Sequence, residues 1–272
     1  MQTHEPTPIP PTETADVAGV GSTSAAPGST GPARVRSRAA QIWALTAGVV
    51  AALGSWLLIE ASYDRFKPTA TPTRFMASTF MVVGANERAS AGLRNAYLAF
   101  GLMGAAVGLI MGLAGGLARK RPWAAATAAL LGLAVGAAAG AGTARAALPV
   151  ASLVHDQDPG NMSAEMFSSL LAHGAPWGAV GAAGGLAFGI GLGDRRRAVR
   201  TFLGGMLGGV AGAILYEFLG ALALPDVKIL NPIATTRGVR LLAQVLAVIP
   251  ATAGVAALLT EPKPAPPASR AA

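Results

Sequence analysis

The sequence contains no cysteine and few charged residues. Without cysteine the chain can form no disulfide bond, no thiol nucleophile and no cysteine-ligated metal site. Charged residues make up 12% of the 272 residues, about half of the ~25% that is usual in a soluble domain. Because 52% of the residues are hydrophobic, the composition favours a membrane-embedded protein over a soluble one.

The apolar residues lie in six long blocks, each near the ~20 residues that a helix needs to cross a bilayer. Their interiors carry no charged residue, apart from Glu217 near the far end of the fifth, and they show no regular polar stripe. The sequence therefore predicts an all-α, polytopic integral membrane protein with six transmembrane helices, at about 40–59, 96–117, 123–144, 176–192, 201–222 and 241–259.

Positive charge is concentrated at the ends of these blocks. The net charge is +8, but no basic helix face carries interleaved aromatic residues, so nucleic-acid binding is not expected. Short loops rich in Lys and Arg stay in the cytoplasm. The basic clusters that set the orientation precede helix 1, join helices 2 and 3, and join helices 4 and 5: Arg34, Arg36, Arg38; Arg119, Lys120, Arg121; Arg195, Arg196, Arg197, Arg200. Both termini are therefore predicted to be cytoplasmic.

Two terminal segments differ from the membrane domain at 34–260. Residues 1–33 and 261–272 are rich in Pro, Thr, Ser, Gly and Ala, and such segments bury too little apolar surface to fold. Both are predicted to be disordered cytoplasmic tails. Since the first apolar block starts near residue 40, we expect helix 1 to be an uncleaved anchor. The heavy use of Ala, Gly, Arg and Pro is typical of high-GC bacteria, which points to a bacterial inner membrane.

Three outer connections are predicted, at 61–94, 148–174 and 225–240. In the first, the apolar segment 75–83 is expected to lie in the membrane interface or to enter the bundle. In the second, Asn161 or Ser163 can cap a short helix that Gly174 can end.

The central helices contain a repeat. A shift of 77 places Gly104, Gly108 and Gly112 on Gly181, Gly185 and Gly189, and beyond the loop a shift of 76 places Gly132 and Gly136 on Gly208 and Gly212. The repeat therefore equates the hairpin 101–144 with 178–222 and predicts a duplicated two-helix unit of the same orientation.

Glycine recurs every four residues in this unit. Residues at i and i+4 share a helix face, and small residues let helices approach closely in lipid. The pattern resembles the glycine-zipper motif of bacterial membrane proteins, and that resemblance implies close packing or self-association. Helices 2 to 5 are expected to form a tight centre flanked by helices 1 and 6, with these packing residues: Gly104, Gly108, Gly112, Gly116, Gly132, Gly136, Gly140, Gly181, Gly185, Gly189, Gly193, Gly204, Gly208, Gly212.

Catalytic signatures are incomplete. Gly191-Leu192-Gly193-Asp194 matches the GxGD motif of intramembrane aspartyl peptidases, but such enzymes need a paired carboxylate, and the other acids on the predicted cytoplasmic side lie in the tails. HExxH and GxSxG are absent. His155, Asp156 and Asp158 are candidate metal ligands, with His173 as the only other nearby histidine, but a solvated loop is the favoured interpretation. No catalytic residue, cofactor or metal is predicted.

Polar residues recur at the predicted outer helix ends, where Glu60, Asn95, Arg240 and Gln244 join Arg145 and Glu217. An ionisable residue in an apolar run is a functional candidate with an expected partner. We predict that Arg145 is the partner of Glu217.

The function predicted from these observations is a non-enzymatic structural or assembly component, with the lipid bilayer and a second copy or another membrane protein as partners. The alternatives are a small-solute or ion permease with a polar site near Glu217 and Arg145, and an intramembrane enzyme.

Overall fold

The structure is a computed structural model that describes residues 31–76, 78–158, 160–223 and 232–260. The predicted disordered tails lie outside the described residues, apart from 31–33, which belong to the first helix. Residues 224–231, in the predicted connection 225–240, also lie outside them.

The described chain contains six helices that are long and apolar enough to cross a membrane, as the sequence predicts. Each predicted helix coincides with part of one observed helix, to within a residue. The observed helices are α1 Gly31–Ser62, α2 Ala85–Ala118, α3 Pro122–Gln157, α4 Met162–Leu192, α5 Arg195–Ala223 and α6 Arg237–Leu258.

One short β-hairpin interrupts the helical architecture between α1 and α2. Strands β1 Thr71–Phe75 and β2 Ser78–Val82 pair antiparallel, from Thr71 opposite Val82 to Phe75 opposite Ser78. All of β2 is exposed, including Phe80 and Met81. The segment predicted to lie in the interface or enter the bundle is therefore a hairpin outside the bundle.

Three helices extend far beyond their predicted spans. α2, α3 and α4 have 34, 36 and 31 residues, so at 1.5 Å per residue each is about 45–55 Å long, against a hydrocarbon core of ~30 Å. The predicted cap Asn161 is confirmed, because its Oδ1 accepts from Ser163 N at 3.0 Å. The predicted helix end at Gly174 is wrong: α4 continues through Gly174 and Pro176, both of which are buried against neighbouring helices.

α4 is the central helix of the bundle. It packs against α2, α3, α5 and α6, while α1 packs against α2 and α6. Its apolar 18-residue stretch is 72% buried, the largest fraction among the six helices. The expected centre of helices 2 to 5 is thus organised around α4, and α6 packs mainly against α5 and α1.

The predicted glycine ladder of α2 forms its contact with α3. A methyl group on Gly104, Gly108 or Gly112 would overlap the backbone of Gly136, Gly132 or Ala128, respectively. Two more predicted glycines of these helices make the same kind of contact: Gly116 of α2 meets the backbone of Ala125, and Gly140 of α3 meets the backbone of Phe100. The two helices therefore touch backbone to backbone along five successive turns.

The ladder of α4 has the same role toward α5. Gly181, Gly185 and Gly189 lie against the backbones of Gly205, Thr201 and Ala198, respectively. Gly193, the last of the series, ends α4 with a left-handed backbone at φ 70°, and Arg119 lies directly against it.

The glycines that the repeat assigns to α5 face a different helix. Gly204, Gly208 and Gly212 lie against the backbones of Gly254, Pro250 and Leu246 in α6. In the first hairpin Gly104 faces Gly136. The repeat equates these residues with Gly181 and Gly212, but Gly181 faces Gly205 and not Gly212. The shift of 76 therefore aligns residue types in the second helix without aligning their contacts. The glycines of α5 instead pack this helix against α6.

Candidate functional site

The described ionisable residues that are buried meet at one end of the bundle. We name this end, where Glu60, His173, Glu217 and Arg240 lie, the polar end. The opposite end, which carries the loops at 119–121 and 193–194 and the start of α5, is named the basic end.

Arg240 organises the polar end from the first turn of α6. Its Nε and Nη2 donate to the two carboxylate oxygens of Glu60 in α1, at 2.6 and 3.0 Å. Its Nη1 donates to the carbonyls of Ala234 and Thr235 at 2.9 and 2.7 Å, and the guanidinium lies 3.8 Å from the centre of the Tyr63 ring. A single 5% exposed side chain therefore ties α1 to α6 and anchors the segment that precedes α6.

A histidine–carboxylate pair joins α4 to α5. His173 Nδ1 lies 2.8 Å from Glu217 Oε1. The imidazole also contacts two aromatic rings, Trp177 at 5.6 Å and Tyr216 at 5.2 Å between centroids, and these two rings lie 5.4 Å apart. The carboxylate thus fixes one ring nitrogen of His173, while the aromatic rings fix its plane.

A neutral polar pair lies one turn deeper. Ser55 Oγ donates to Gln244 Oε1 at 2.9 Å, across the α1–α6 interface. Both residues are buried. The polar network of this end therefore begins at Glu60 and Arg240 and reaches one helical turn into the bundle.

A cavity of about 30 Å³ lies between the Glu60–Arg240 pair and the His173–Glu217 pair. His173, Trp177, Tyr216, Arg240 and Gln244 supply its polar lining. Its apolar lining comes from α1, α2, α6 and the segment that covers it, as follows: Ile59, Ala99, Phe100, Ala243, Pro232, Ile233, Ala234. The cavity is a small chamber at one end of the bundle, and its lining contains no residue from the glycine ladders.

The nominated pair of Arg145 and Glu217 is not formed in the structure. Glu217 is paired with His173, and Arg145 is exposed on α3. Within the described ranges Arg145 has no salt bridge or hydrogen bond through its side chain. The reason is positional, because α4 lies between α3 and α5 and brings its own histidine to the carboxylate.

The other outer polar residues each have a partner. Glu60 and Arg240 pair with each other and Gln244 pairs with Ser55. Asn95 lies apart from the cavity and exchanges two hydrogen bonds of 2.9 Å with the backbone of Phe66. Its role is to hold the connection between α1 and β1 against α2.

Asp194 of the GxGD motif has a capping role. Its Oδ1 accepts from Arg196 N at 2.9 Å at the start of α5, and its Oδ2 lies 3.5 Å from Arg197 Nε. The candidate metal ligands are not assembled either, since the described part of the chain holds no group of three or more His, Cys, Asp or Glu residues suited to a metal ion.

Sequence reasoning missed His173, Trp177 and Tyr216 as site residues. The expected helix end at Gly174 placed His173 in an outer loop, away from the bundle. The available signal was the spacing of His173 and Trp177, which puts both on one helix face if α4 is continuous, together with Tyr216 directly before Glu217.

Comparison of the chain with protein-family models, curated proteins and solved structures gives no match. The function is therefore inferred from the residues and geometry described above.

The two candidate partners of Glu217 can be separated by mutation. Glu217→Ala should lower the free energy of unfolding by ~1–3 kcal/mol, because it leaves His173 Nδ1 buried without a partner. Arg145→Ala should change it by less than ~0.5 kcal/mol, as expected for an exposed residue. Thermal unfolding of purified protein in detergent measures both, and equal losses in the two variants would contradict the His173–Glu217 pairing.

Proposed function

We propose that the chain is a multi-pass integral protein of a bacterial inner membrane, with both termini in the cytoplasm, and that it acts as a non-enzymatic structural or assembly component. Its central unit would be a glycine-zipper hairpin used twice, as α2–α3 and α4–α5.

Membrane insertion is supported by the outer surface of the bundle. Large apolar side chains are exposed along α1 and α3, among them Leu45, Val49, Leu53, Leu130 and Leu131. A surface of this kind suits lipid and would aggregate in water. The basic end carries the clusters that the positive-inside rule assigns to the cytoplasm, which gives the proposed orientation.

The backbone contact along the glycine ladders is the observation that carries the structural assignment. The pairs α2–α3, α4–α5 and α5–α6 touch through backbone atoms over several turns, and close packing is what holds helices together in lipid. The cavity with polar lining is small and lies at the polar end. A packed, charge-free centre suits a scaffold better than a path for solutes.

A role in assembly is supported by exposed apolar residues near the polar end. Met76, Phe80 and Met81 are exposed on the hairpin, and Met162 and Phe167 are exposed on the first turns of α4. A two-stranded hairpin alone is only marginally stable, so a second copy or another membrane protein that covers this surface would stabilise it.

The second candidate function is a permease for a small solute or ion. The observation that favours it is the buried polar cavity between Glu60–Arg240 and His173–Glu217, since buried ionisable groups in membrane helices often line transport routes. It requires that the cavity connect, in some state of the protein, to water on the basic side.

Thiol labelling distinguishes the two functions, because the natural chain has no cysteine. Val107→Cys and Val180→Cys would report on the buried middle of α2 and α4, and Ser55→Cys on the inner edge of the polar network. The scaffold proposal predicts that a membrane-impermeant maleimide labels Arg145→Cys, the exposed control, and leaves positions 107 and 180 unlabelled from both sides. Labelling at position 107 or 180 would contradict the scaffold proposal and favour the permease.

A further inference from the structure

The cavity at the polar end contains more hydrogen-bond donors than the protein satisfies. Trp177, Tyr216 and Gln244 line it and are each more than nine-tenths buried. The indole N–H, the phenol O–H and the amide NH₂ of these residues donate no hydrogen bond to a described residue, and their donor atoms keep some accessible surface. Buried polar groups are nearly always hydrogen-bonded in proteins, so three unsatisfied donors around one cavity indicate an acceptor held inside it.

The charged residues give this cavity its polarity. Arg240 and His173 line the cavity, while their carboxylate partners Glu60 and Glu217 are not among its lining residues. Glu217 occupies Nδ1 of His173. Among the described residues, the lining therefore presents hydrogen-bond donors and the Arg240 guanidinium but no carboxylate oxygen. This disfavours a cation, in spite of the aromatic rings, and favours a negatively charged acceptor.

The size of the cavity limits what can occupy it. A water molecule needs ~10–15 Å³ of cavity volume, so about 30 Å³ accommodates two waters or one ion of similar size. Apolar side chains such as Ile59 and Phe100 form the remaining wall, and they offer nothing to a larger polar ligand. Sugars, nucleotides and amino acids are excluded by volume.

From these three observations we propose that the cavity is a binding site for a small inorganic anion of halide size, held by Trp177, Tyr216 and Gln244 and by the positive side of Arg240. The segment 232–234, anchored through the hydrogen bonds from Arg240 to Ala234 and Thr235, covers the site. The inference goes beyond the scaffold function and does not depend on it, because a bound anion can stabilise a packed bundle without being transported.

Bromide quenching of Trp177 fluorescence tests the proposal directly. The full chain is prepared with Trp43, Trp56 and Trp123 replaced by Phe, so that Trp177 is the only indole, and is titrated in detergent with sodium bromide against sodium gluconate at constant ionic strength. We expect saturable quenching that chloride reverses by competition and gluconate, too large for the cavity, does not. Linear quenching without saturation, or no quenching in a folded chain, would overturn the anion site.

A pair of tyrosine variants locates the bound ion. Tyr216→Phe keeps the ring and removes the O–H donor, and it should weaken bromide binding by about tenfold or more, the effect of one lost hydrogen bond to a charged group. Tyr97→Phe, a change outside the cavity lining, should leave the titration unchanged. Equal titrations for the two variants would place the anion elsewhere and overturn the assignment. Should Tyr216→Phe fail to fold, the chloride competition in the Trp177-only chain still decides the question.

Discussion

Gly108→Leu is expected to prevent the stable association of α2 with α3. A methyl group at this position already overlaps the carbonyl oxygen of Gly132, and a backbone atom cannot move aside as the end of a flexible side chain can. Overpacking of a tight core typically costs ~1–3 kcal/mol, and because leucine must separate two helices here, we expect a loss above ~3 kcal/mol. Gly185→Leu should act in the same way between α4 and α5, where Thr201 supplies the carbonyl. The loss is measured as unfolding in detergent by circular dichroism.

Gly92→Ala provides the matched control on the same helix. Nothing lies within 4 Å of a methyl group placed at Gly92, so the substitution should be neutral or should stabilise α2 by up to ~1 kcal/mol through its higher helix propensity. If Gly108→Leu unfolds like Gly92→Ala, the backbone contacts between α2 and α3 do not hold the bundle together.

Arg240→Met should have the second largest effect. The substitution leaves the Glu60 carboxylate, whose side chain is 16% exposed, without its bidentate partner and removes the donor of two carbonyl groups. Breaking a buried ion pair from one side costs ~3–5 kcal/mol, and we expect about 3 kcal/mol here because Glu60 keeps some contact with solvent. Thermal unfolding in detergent again gives the value.

Two further variants show whether the pair itself is responsible. Arg237 also approaches Glu60, at 3.4 Å, but is 85% exposed, so Arg237→Ala should cost no more than ~1 kcal/mol. The double variant Glu60→Leu/Arg240→Met removes both charges and should recover part of the stability lost in Arg240→Met. If the double variant loses as much free energy of unfolding as Glu60→Leu and Arg240→Met lose separately and in sum, the effect belongs to packing around Tyr63 and not to the ion pair.

The helices could be predicted from the sequence because their cause is local. Long charge-free runs and the Asn161 cap are properties of neighbouring residues, and both correspond to observed structure. The exposed hairpin was missed because its alternation spans only five residues per strand. The helix end expected at Gly174 failed because burial against neighbouring helices decides whether a glycine interrupts a helix in the bundle.

The contacts between helices depend on how each helix is rotated about its own axis, and this rotation could not be predicted from the sequence. Gly204 and Gly205 are adjacent in the chain, yet the first faces α6 and the second faces α4. The same uncertainty affected Glu217. The helix end expected at Gly174 put His173 in an outer loop and left Arg145 as the predicted partner, whereas the central position of α4 brings His173 to the carboxylate. Depth along a span could be predicted, whereas the direction in which each residue faces could not.

The central position of α4 has a consequence for biosynthesis. Its apolar window has a mean hydropathy of 1.3, the lowest of the six helices, and the largest buried fraction. During synthesis in a membrane, α4 would emerge when only α2 and α3 are present to cover it, with Gly181, Gly185 and Gly189 still lacking α5. For the membrane protein proposed above, the last two helices would complete a bundle whose least hydrophobic span is already inserted, and a nascent chain that stops at the basic loop after α4 would leave that span facing lipid.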